Sequence, residues 1–131
     1  MEPGNYVALR EGYVESISEE RFIENESDLL DFIGFCGEND RDRAILYAAN
    51  VPEDFYRLGT GVAGAFLGKL QTYRVRVVWI LDSVKVRGKF ADMVLEANRW
   101  NDFHYTDSLE EAKTWLENPK NFPEVIRTAP R

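Results

Sequence analysis

The strongest strand signal in the chain is the sequence YRVRVVWIL at residues 73–81. Its first half alternates Arg with Val, and its end is continuously apolar, which is typical of a strand that enters a covered sheet. A second apolar run, AILYA at residues 44–48, has the length of a short buried strand. These two runs predict the centre of a β-sheet.

Amphipathic helical patterns alternate with the predicted strands. Apolar residues recur on one helical face after the acidic stretch 19–26, from residue 60, near residue 90 and after residue 108. Gly37 is predicted to end the first helix, because glycine tolerates the left-handed conformation. Ser108 and Glu111 form a capping box at the start of the last helix. The apolar positions are Leu29, Leu30, Ile33 and Cys36 in the first helix, Val62, Phe66, Leu70 and Tyr73 in the second, and Phe90, Met93, Val94 and Ala97 in the third.

The second predicted helix also carries Gly61, Gly64 and Gly68 at helical spacing. Each glycine costs up to about 1 kcal/mol relative to alanine in a helix interior. We therefore predict that this helix packs closely against another element, which would offset the cost.

The remaining elements complete an α/β pattern. Two β-prone runs, residues 5–10 and 13–17, are separated by Glu11-Gly12, which predicts a hairpin. A last strand is predicted at residues 103–106. The order β-β-α-β-α-β-α-β-α predicts a single-domain α/β sandwich, with a mixed, mostly parallel sheet of about five strands and four helices. We place this domain at residues 1–118 and predict an irregular C-terminal tail at residues 119–131, which contains three prolines.

Composition and charge narrow the classes of function. The chain has 131 residues, with 16 Lys and Arg against 23 Asp and Glu, and a net charge of −7. This excess of acid argues against non-specific binding of nucleic acid. With one cysteine, Cys36, and one histidine, His104, an intrachain disulfide and a multi-histidine metal site are excluded. The N-terminus lacks a signal-peptide pattern and no apolar run spans a membrane, so we expect a cytoplasmic protein without a metal or cofactor.

Residues 59–64, GTGVAG, fit the G-x-G-x-x-G pattern of dinucleotide sites, and Asp82 lies near the expected distance downstream. However, the pattern does not directly follow a strand, and the chain is too short for two mononucleotide-binding halves. A Gly-Thr-Gly turn at a helix start can still bind an anion. The simpler interpretation is that Thr60 caps the helix.

Two further groups complete the candidate site. Asp82 ends the strongest strand, where open α/β sheets place functional groups, although a turn residue explains it equally well. Asn98 and Arg99 follow the third predicted helix, where both residue types suit a helix end. The predicted binding or regulatory residues are Gly59, Thr60, Gly61, Asp82, Asn98 and Arg99, and no catalytic or metal-ligating residue is predicted.

Charge is distributed unevenly along the chain. Residues 1–42 contain twelve acidic residues and three arginines, whereas residues 69–89 contain six basic residues and only Asp82 as an acid. This asymmetry predicts a charged protein partner or a small anion, although solvated faces also explain it. Trp79 is predicted to be core. Trp100 and Trp115 are predicted to be partly exposed, and they would serve the interface of a homo-oligomer.

Residues 46–64, LYAANVPEDFYRLGTGVAG, resemble the signature of a bacterial domain-of-unknown-function family, number 4180. The resemblance continues in YRVR at residues 73–76, EANR at residues 96–99 and DSLEEA at residues 107–112. It covers most of the chain, from the first strand to the last helix. It implies membership of the family, which has no established biochemistry to transfer.

More distantly, the element order resembles the STAS fold of anti-sigma-factor antagonists. In that fold, a phosphorylatable Ser or Thr opens the helix that follows the third strand, and Thr60 falls at the equivalent place. The preceding Asp of that motif is absent here, where Leu58 and Gly59 stand. The resemblance implies a non-enzymatic regulatory or protein-binding module. The alternative hypothesis is a small-molecule or nucleotide-binding protein, or a weak enzyme, that uses residues 59–64 and Asp82.

Overall fold

A computed structural model of the chain describes residues 2–81, 87–97 and 103–117. The five strands form one sheet in the order β1-β2-β3-β4-β5, in which β1 is antiparallel to β2 and the other neighbours are parallel. The predicted α/β class, the mixed sheet and the element order are confirmed, and the predicted tail lies outside the described residues. The elements are β1 (Val7–Arg10), β2 (Tyr13–Ser16), α1 (Glu26–Glu38), β3 (Arg43–Tyr47), α2 (Val62–Thr72), β4 (Arg76–Ile80), α3 (Gly88–Ala97), β5 (Phe103–Thr106) and α4 (Leu109–Glu117).

The opening hairpin has the predicted turn. Arg10 pairs with Tyr13 at its end, and Gly12 adopts a φ of 86° in the turn between them. A positive φ is sterically open to glycine but costly for most other residues. The turn therefore sets the register in which Val7 faces Ser16.

The helices cover the two faces of the sheet unequally. Each of α1, α2 and α3 connects neighbouring parallel strands, and right-handed crossovers in one direction place all three on the same face. Strand side chains alternate between that face and the other, which α4 covers. The larger core includes Leu29, Phe32, Phe66, Leu70 and Trp79, and the smaller core under α4 consists of Ile45, Val78, Ala112, Trp115 and Leu116.

Helix α1 differs from its prediction at its end and in its buried face. It continues past Gly37 to Glu38, and Asp40 adopts the left-handed conformation with a φ of 57°. The buried residues include Phe32, whereas Leu30 is 39% exposed. The prediction of Gly37 as the terminator was wrong, because the turn into β3 places the left-handed residue beyond it.

The expected close packing at the glycines of α2 was also wrong. A Cβ atom added at Gly64 or Gly68 would have no heavy atom within 4 Å, and both residues are exposed. The helix buries Ala63, Phe66 and Leu70 on its other side. Contacts among the described residues therefore do not offset the propensity cost of these two glycines.

We expect Gly64→Ala and Gly68→Ala each to raise the free energy of unfolding, by up to about 1 kcal/mol. The gain arises because alanine has the higher helix propensity and its methyl group meets no obstacle. Urea unfolding followed by circular dichroism measures it. Gly61→Ala is the matched control, and it should destabilise the protein because Gly61 has a φ of 80°. A loss of stability in the double variant G64A/G68A would contradict the prediction.

Trp115 packs inside the molecule. It is 7% exposed, and its ring stacks on His104 with centroids 5.3 Å apart and planes 11° from parallel. His104 Nε2 lies 3.3 Å from Glu111 Oε1 on the same helix. The prediction of Trp115 as an exposed contact residue was therefore wrong, because its ring holds α4 to the sheet. Trp100 lies outside the described residues, and Trp79 is fully buried, as predicted.

Candidate functional site

The fully buried Asn50 connects the segments that follow β2 and β3. Its Oδ1 accepts a hydrogen bond from the backbone N–H of Tyr47 at 2.8 Å. Its Nδ2 donates to the carbonyl oxygens of Ser18 at 2.9 Å and Glu20 at 2.8 Å. The Asn50 carbonyl oxygen accepts from the backbone N–H groups of residues 22–23. One side chain and one carbonyl therefore fix two irregular segments against each other.

A cleft of about 710 Å³ lies between these two segments, and we call it the edge cleft. It is located where the parallel strands β2, β3 and β4 end, which is where open α/β sheets bind ligands. Its volume falls within the range of about 300–1,000 Å³ that is usual for small-ligand sites. The described residues that line it are Glu19, Arg21, Glu24, Tyr47, Ala48, Ala49, Val51, Glu53, Ile80 and Leu81.

Charged side chains and one tyrosine, Tyr47, line the edge cleft. Burial, followed by the charges of Glu15 and Glu19, raises the pKa of Tyr47. Burial also raises the pKa of Tyr56, whose hydroxyl donates to the carbonyl oxygen of Ala48 behind the cleft. Tyr47 therefore keeps its proton to a higher pH than a free tyrosine, and it lines the same cleft as Arg21 and three glutamates.

Thr60 lies in a short 3₁₀ turn, Leu58–Thr60, which immediately precedes α2. Its Oγ1 is 2.7 Å from the carbonyl oxygen of Asp54 and 2.8 Å from that of Arg57. Gly61, with a φ of 80°, is the N-cap residue of α2 and makes no side-chain cap. The N-cap position is Gly61, one residue after the predicted Thr60, because the 3₁₀ turn ends in a left-handed glycine from which the helix starts. The predicted capping interaction of Thr60 is nevertheless present, since its Oγ1 accepts a hydrogen bond from the backbone N–H of Val62 at 3.3 Å.

The structure places the three described residues of the predicted site away from the edge cleft. Gly59, Thr60 and Gly61 are exposed, and they are not among the described residues that line the cleft. Asp82, Asn98 and Arg99 lie outside the described residues, so their convergence with Thr60 stays a prediction. Three 3₁₀ turns separate β3 from α2. The strand–turn–helix context that a dinucleotide fingerprint requires is therefore absent at residues 59–64.

Sequence reasoning missed the edge cleft, although one signal pointed to it. Asn50 is a polar residue just beyond a short apolar strand, at the end of the sheet where function is common. The hydrogen bonds of Asn50 join residues 30 and 32 positions apart, a pairing that no local pattern reveals. Arg21 and Glu19 looked like part of an acidic solvated stretch.

Outside the edge cleft, the described residues include one thiol but no cluster of metal-ligating side chains. Cys36 is fully buried, and burial followed by the charge of Asp42 raises its pKa to about 12. Within residues 2–81, 87–97 and 103–117, no three His, Cys, Asp or Glu side chains are grouped to hold a metal ion. None of the helices in these ranges is long and apolar enough to cross a membrane.

We expect Cys36 to make the protein alkali-sensitive. Its pKa is raised from 9.0 to about 12, so the neutral thiol stabilises the fold below pH 9 and that contribution is lost as pH rises towards 12. At a pH of about 10.5 the loss is about 2 kcal/mol. Urea unfolding at pH 8 and 10.5 measures it. The control is Cys36→Ala, which removes the thiol, and an equal loss between the two pH values in this variant would contradict the assignment.

Comparison with known proteins identifies the family of the chain but provides no activity. A family model described as a domain of unknown function, DUF4180, matches residues 10–116. No curated protein matches the chain, and no solved structure matches it. The resemblance to the STAS fold therefore stays a prediction.

Proposed function

This chain belongs to the DUF4180 family of domains of unknown function, and we propose that it is a non-enzymatic regulatory module that binds a protein partner at the edge cleft. The observation that carries the proposal is the composition of the cleft. Apolar residues such as Ala49 and Leu81 line it together with Glu19, Arg21 and Glu53. Apolar surface within a polar rim is the usual anatomy of a protein recognition site.

The way the cleft walls are held also supports recognition. Both walls are irregular segments, and irregular segments on a rigid scaffold commonly carry binding residues. Asn50 fixes the wall that carries Glu19 and Arg21 to the end of β3, because its amide donates to the carbonyl oxygens of the adjoining Ser18 and Glu20. A partner would therefore meet a preorganised surface, which reduces the entropy cost of binding.

Thr60 is the proposed regulatory residue of this module. Phosphorylation would remove the hydroxyl hydrogen that now faces the carbonyl oxygens of Asp54 and Arg57, and it would add a charge of about −2. Repulsion from the two carbonyls would displace the turn, while the start of α2 and the exposed Arg57 would attract the phosphate. The turn continues from the segment that carries Glu53, so its displacement would reach one wall of the cleft.

Affinity capture from a lysate of the source organism, followed by quantitative mass spectrometry, tests the proposal. We expect one protein to be enriched by the wild type and reduced at least about tenfold with Arg21→Glu, a change worth about 1.4 kcal/mol. Thr60→Asp should change its enrichment, and Thr60→Ala should not. Glu117→Lys, at the far end of α4, is the matched control. If every captured protein is retained by Arg21→Glu and by Tyr47→Ala, the edge cleft is not the binding surface.

A second candidate function is small-molecule binding, which the volume of the edge cleft favours. In this candidate function, the ligand binds in the edge cleft rather than at the glycine turn of residues 59–64. A thermal-shift screen with nucleotides, phosphosugars and acyl carriers separates it from the first. A ligand at 100 times its Kd should add about 2.7 kcal/mol of stability. Arg21→Glu should abolish the shift for an anionic ligand, and the absence of any shift would count against this candidate.

A further inference from the structure

Strand β1 forms one edge of the sheet, and no described residue pairs with its outer side. The N–H of Ile17 donates to the carbonyl oxygen of Tyr6 at 2.9 Å, which identifies a hydrogen-bonded pair at the start of the β1–β2 ladder. Because such pairs alternate along antiparallel strands, the backbone groups of Ala8 also face β2. The backbone N–H and C=O groups of Val7 and Leu9 therefore face outward, away from the sheet.

This edge lacks the features that usually prevent an exposed strand from pairing. Natural edge strands are protected by proline, by lysine, by a β-bulge or by an element that covers them. β1 contains neither proline nor lysine, and its residues pair with those of β2 one for one, without a bulge. Leu9 is 44% exposed, so no described element covers its side chain. The outer side of β1 is therefore open to another strand.

The charge near β1 permits a second copy of the chain to approach. The net charge of −7 makes two copies repel each other, so their contact requires a neutral or compensated surface. Residues 3–9 carry no charge, and they form the longest uncharged run in the acidic first 42 residues. Glu15, which faces Ala8 across the ladder, is neutralised by Arg10, whose Nε lies 3.0 Å from Glu15 Oε1. The edge at β1 meets this requirement.

We propose that two copies of the chain pair through β1, antiparallel about a two-fold axis, and join their five-stranded sheets into one. With Ala8 on the axis, Val7 of each copy faces Leu9 of the other, and each such pair exchanges both of its N–H···O=C hydrogen bonds. Leu9 would then lie between Val14 of its own sheet and Val7 of the second copy. A two-fold interface must be complementary to itself, and this register satisfies that condition.

The opposite face of the strand also fits this register. Ala8 of one copy would face Ala8 of the other at a non-hydrogen-bonded position, where Cα atoms lie about 4.5 Å apart and small side chains fit well. The 3₁₀ turn Pro3–Asn5 and the hairpin turn at Gly12 lie beyond the paired residues 7–9. Because β2 runs in opposite directions in the two copies, the dimer would carry an edge cleft at each of its two ends.

Cross-linking of an Ala8→Cys variant tests the proposed register. The two new thiols would face each other on the axis, within the Cα separation of about 4.4–6.8 Å that a disulfide requires. The only other thiol in the chain, Cys36, is fully buried. Thr114→Cys, at an exposed position of α4, is the matched control. We expect mild oxidation to link Ala8→Cys at least about ten times faster than Thr114→Cys, because pairing raises the local concentration of the thiol.

Leu9→Pro separates strand pairing from other contacts. Proline at this position removes the outward N–H but no hydrogen bond of the β1–β2 ladder, and edge strands tolerate proline in that orientation. In the Ala8→Cys protein it should slow cross-linking at least about tenfold, to the rate of the Thr114→Cys control. Leu9→Lys keeps the backbone N–H and places a charge at the edge, so it should slow cross-linking as well. Circular dichroism shows that each variant is folded.

Sedimentation equilibrium of the wild-type protein completes the test. We expect its average mass to rise with concentration from that of a monomer towards that of a dimer, and Leu9→Lys to remain monomeric at the same concentrations. A wild-type protein that stays monomeric at about 1 mM would overturn the proposal. Equal cross-linking of Ala8→Cys and Thr114→Cys would also overturn it, as would unchanged cross-linking in folded Leu9→Pro and Leu9→Lys variants.

Discussion

Asn50→Ala is expected to lower the free energy of unfolding by about 3 kcal/mol. The substitution removes three hydrogen bonds from a fully buried side chain, each worth about 1 kcal/mol net. It also leaves the carbonyl oxygens of Ser18 and Glu20 without the amide that now satisfies them. For a domain of this size, such a loss corresponds to a decrease of about 10 °C in Tm.

Chemical denaturation and hydrogen exchange measure the two consequences of this change. We expect the midpoint in urea to fall, and the amide protons of Phe22 and Ile23, which donate to the Asn50 carbonyl oxygen, to exchange faster. Asn50→Asp is the matched variant, because it keeps the acceptor for Tyr47 and replaces the donor group with a carboxylate oxygen. It should cost at least as much as alanine. If Asn50→Asp has wild-type stability, the donor bonds do not hold the wall of the cleft.

Phe55→Ala is expected to lower the free energy of unfolding by about 4 kcal/mol. Phe55 is fully buried, and its ring lies 4.9 Å from Trp79, 5.2 Å from Tyr56 and 6.0 Å from both Phe66 and Phe90, measured between centroids. Truncation would lose the transfer free energy and leave a cavity between several elements. Phe→Ala changes in cores cost about 3–5 kcal/mol.

Three comparisons make the Phe55 prediction specific. Phe55→Leu keeps an apolar side chain in the cluster and should cost about 1 kcal/mol. Leu95→Ala truncates a side chain that is 69% exposed, and it should leave stability nearly unchanged. The fluorescence of Trp79 should change in Phe55→Ala, because the two rings are neighbours. A loss below about 1 kcal/mol in Phe55→Ala would show that the cluster closes around the gap.

Asn50 and Phe55 explain how an irregular segment keeps a defined shape. Between β3 and α2 the chain forms three 3₁₀ turns and makes no ladder with another strand. Asn50 ties the start of this segment to the loop after β2, and Phe55 anchors its middle in the aromatic core. The edge cleft therefore depends on two buried side chains that do not line it.

The regular elements could be predicted because their signals are local. The alternation and apolar run of residues 73–81 indicated β4, although the strand proper is Arg76–Ile80. Ser108 Oγ accepts from the N–H of Glu111 at 3.2 Å, which is the first half of the predicted capping box. The second half differs, because the N–H of Ser108 donates to Thr106 Oγ1 at 3.2 Å and the Glu111 carboxylate lies against His104. The prediction that α1 ends at Gly37 was wrong, because glycine can adopt the left-handed conformation but does not have to adopt it. The expected packing at Gly64 and Gly68 failed because helical spacing does not say which face of a helix meets the sheet.

The sequence by itself determined the α/β class, the hairpin, the order of strands and helices and the membership of the family. These follow from hydrophobic periods, turn residues and motifs that act over a few neighbours along the chain. Only the tertiary structure decided where the edge cleft lies, that Trp115 is buried on His104, and that Asn50 joins two loops. The physical reason is that burial and hydrogen bonding of these groups depend on residues about 11 to 32 positions apart, which meet only when the sheet forms.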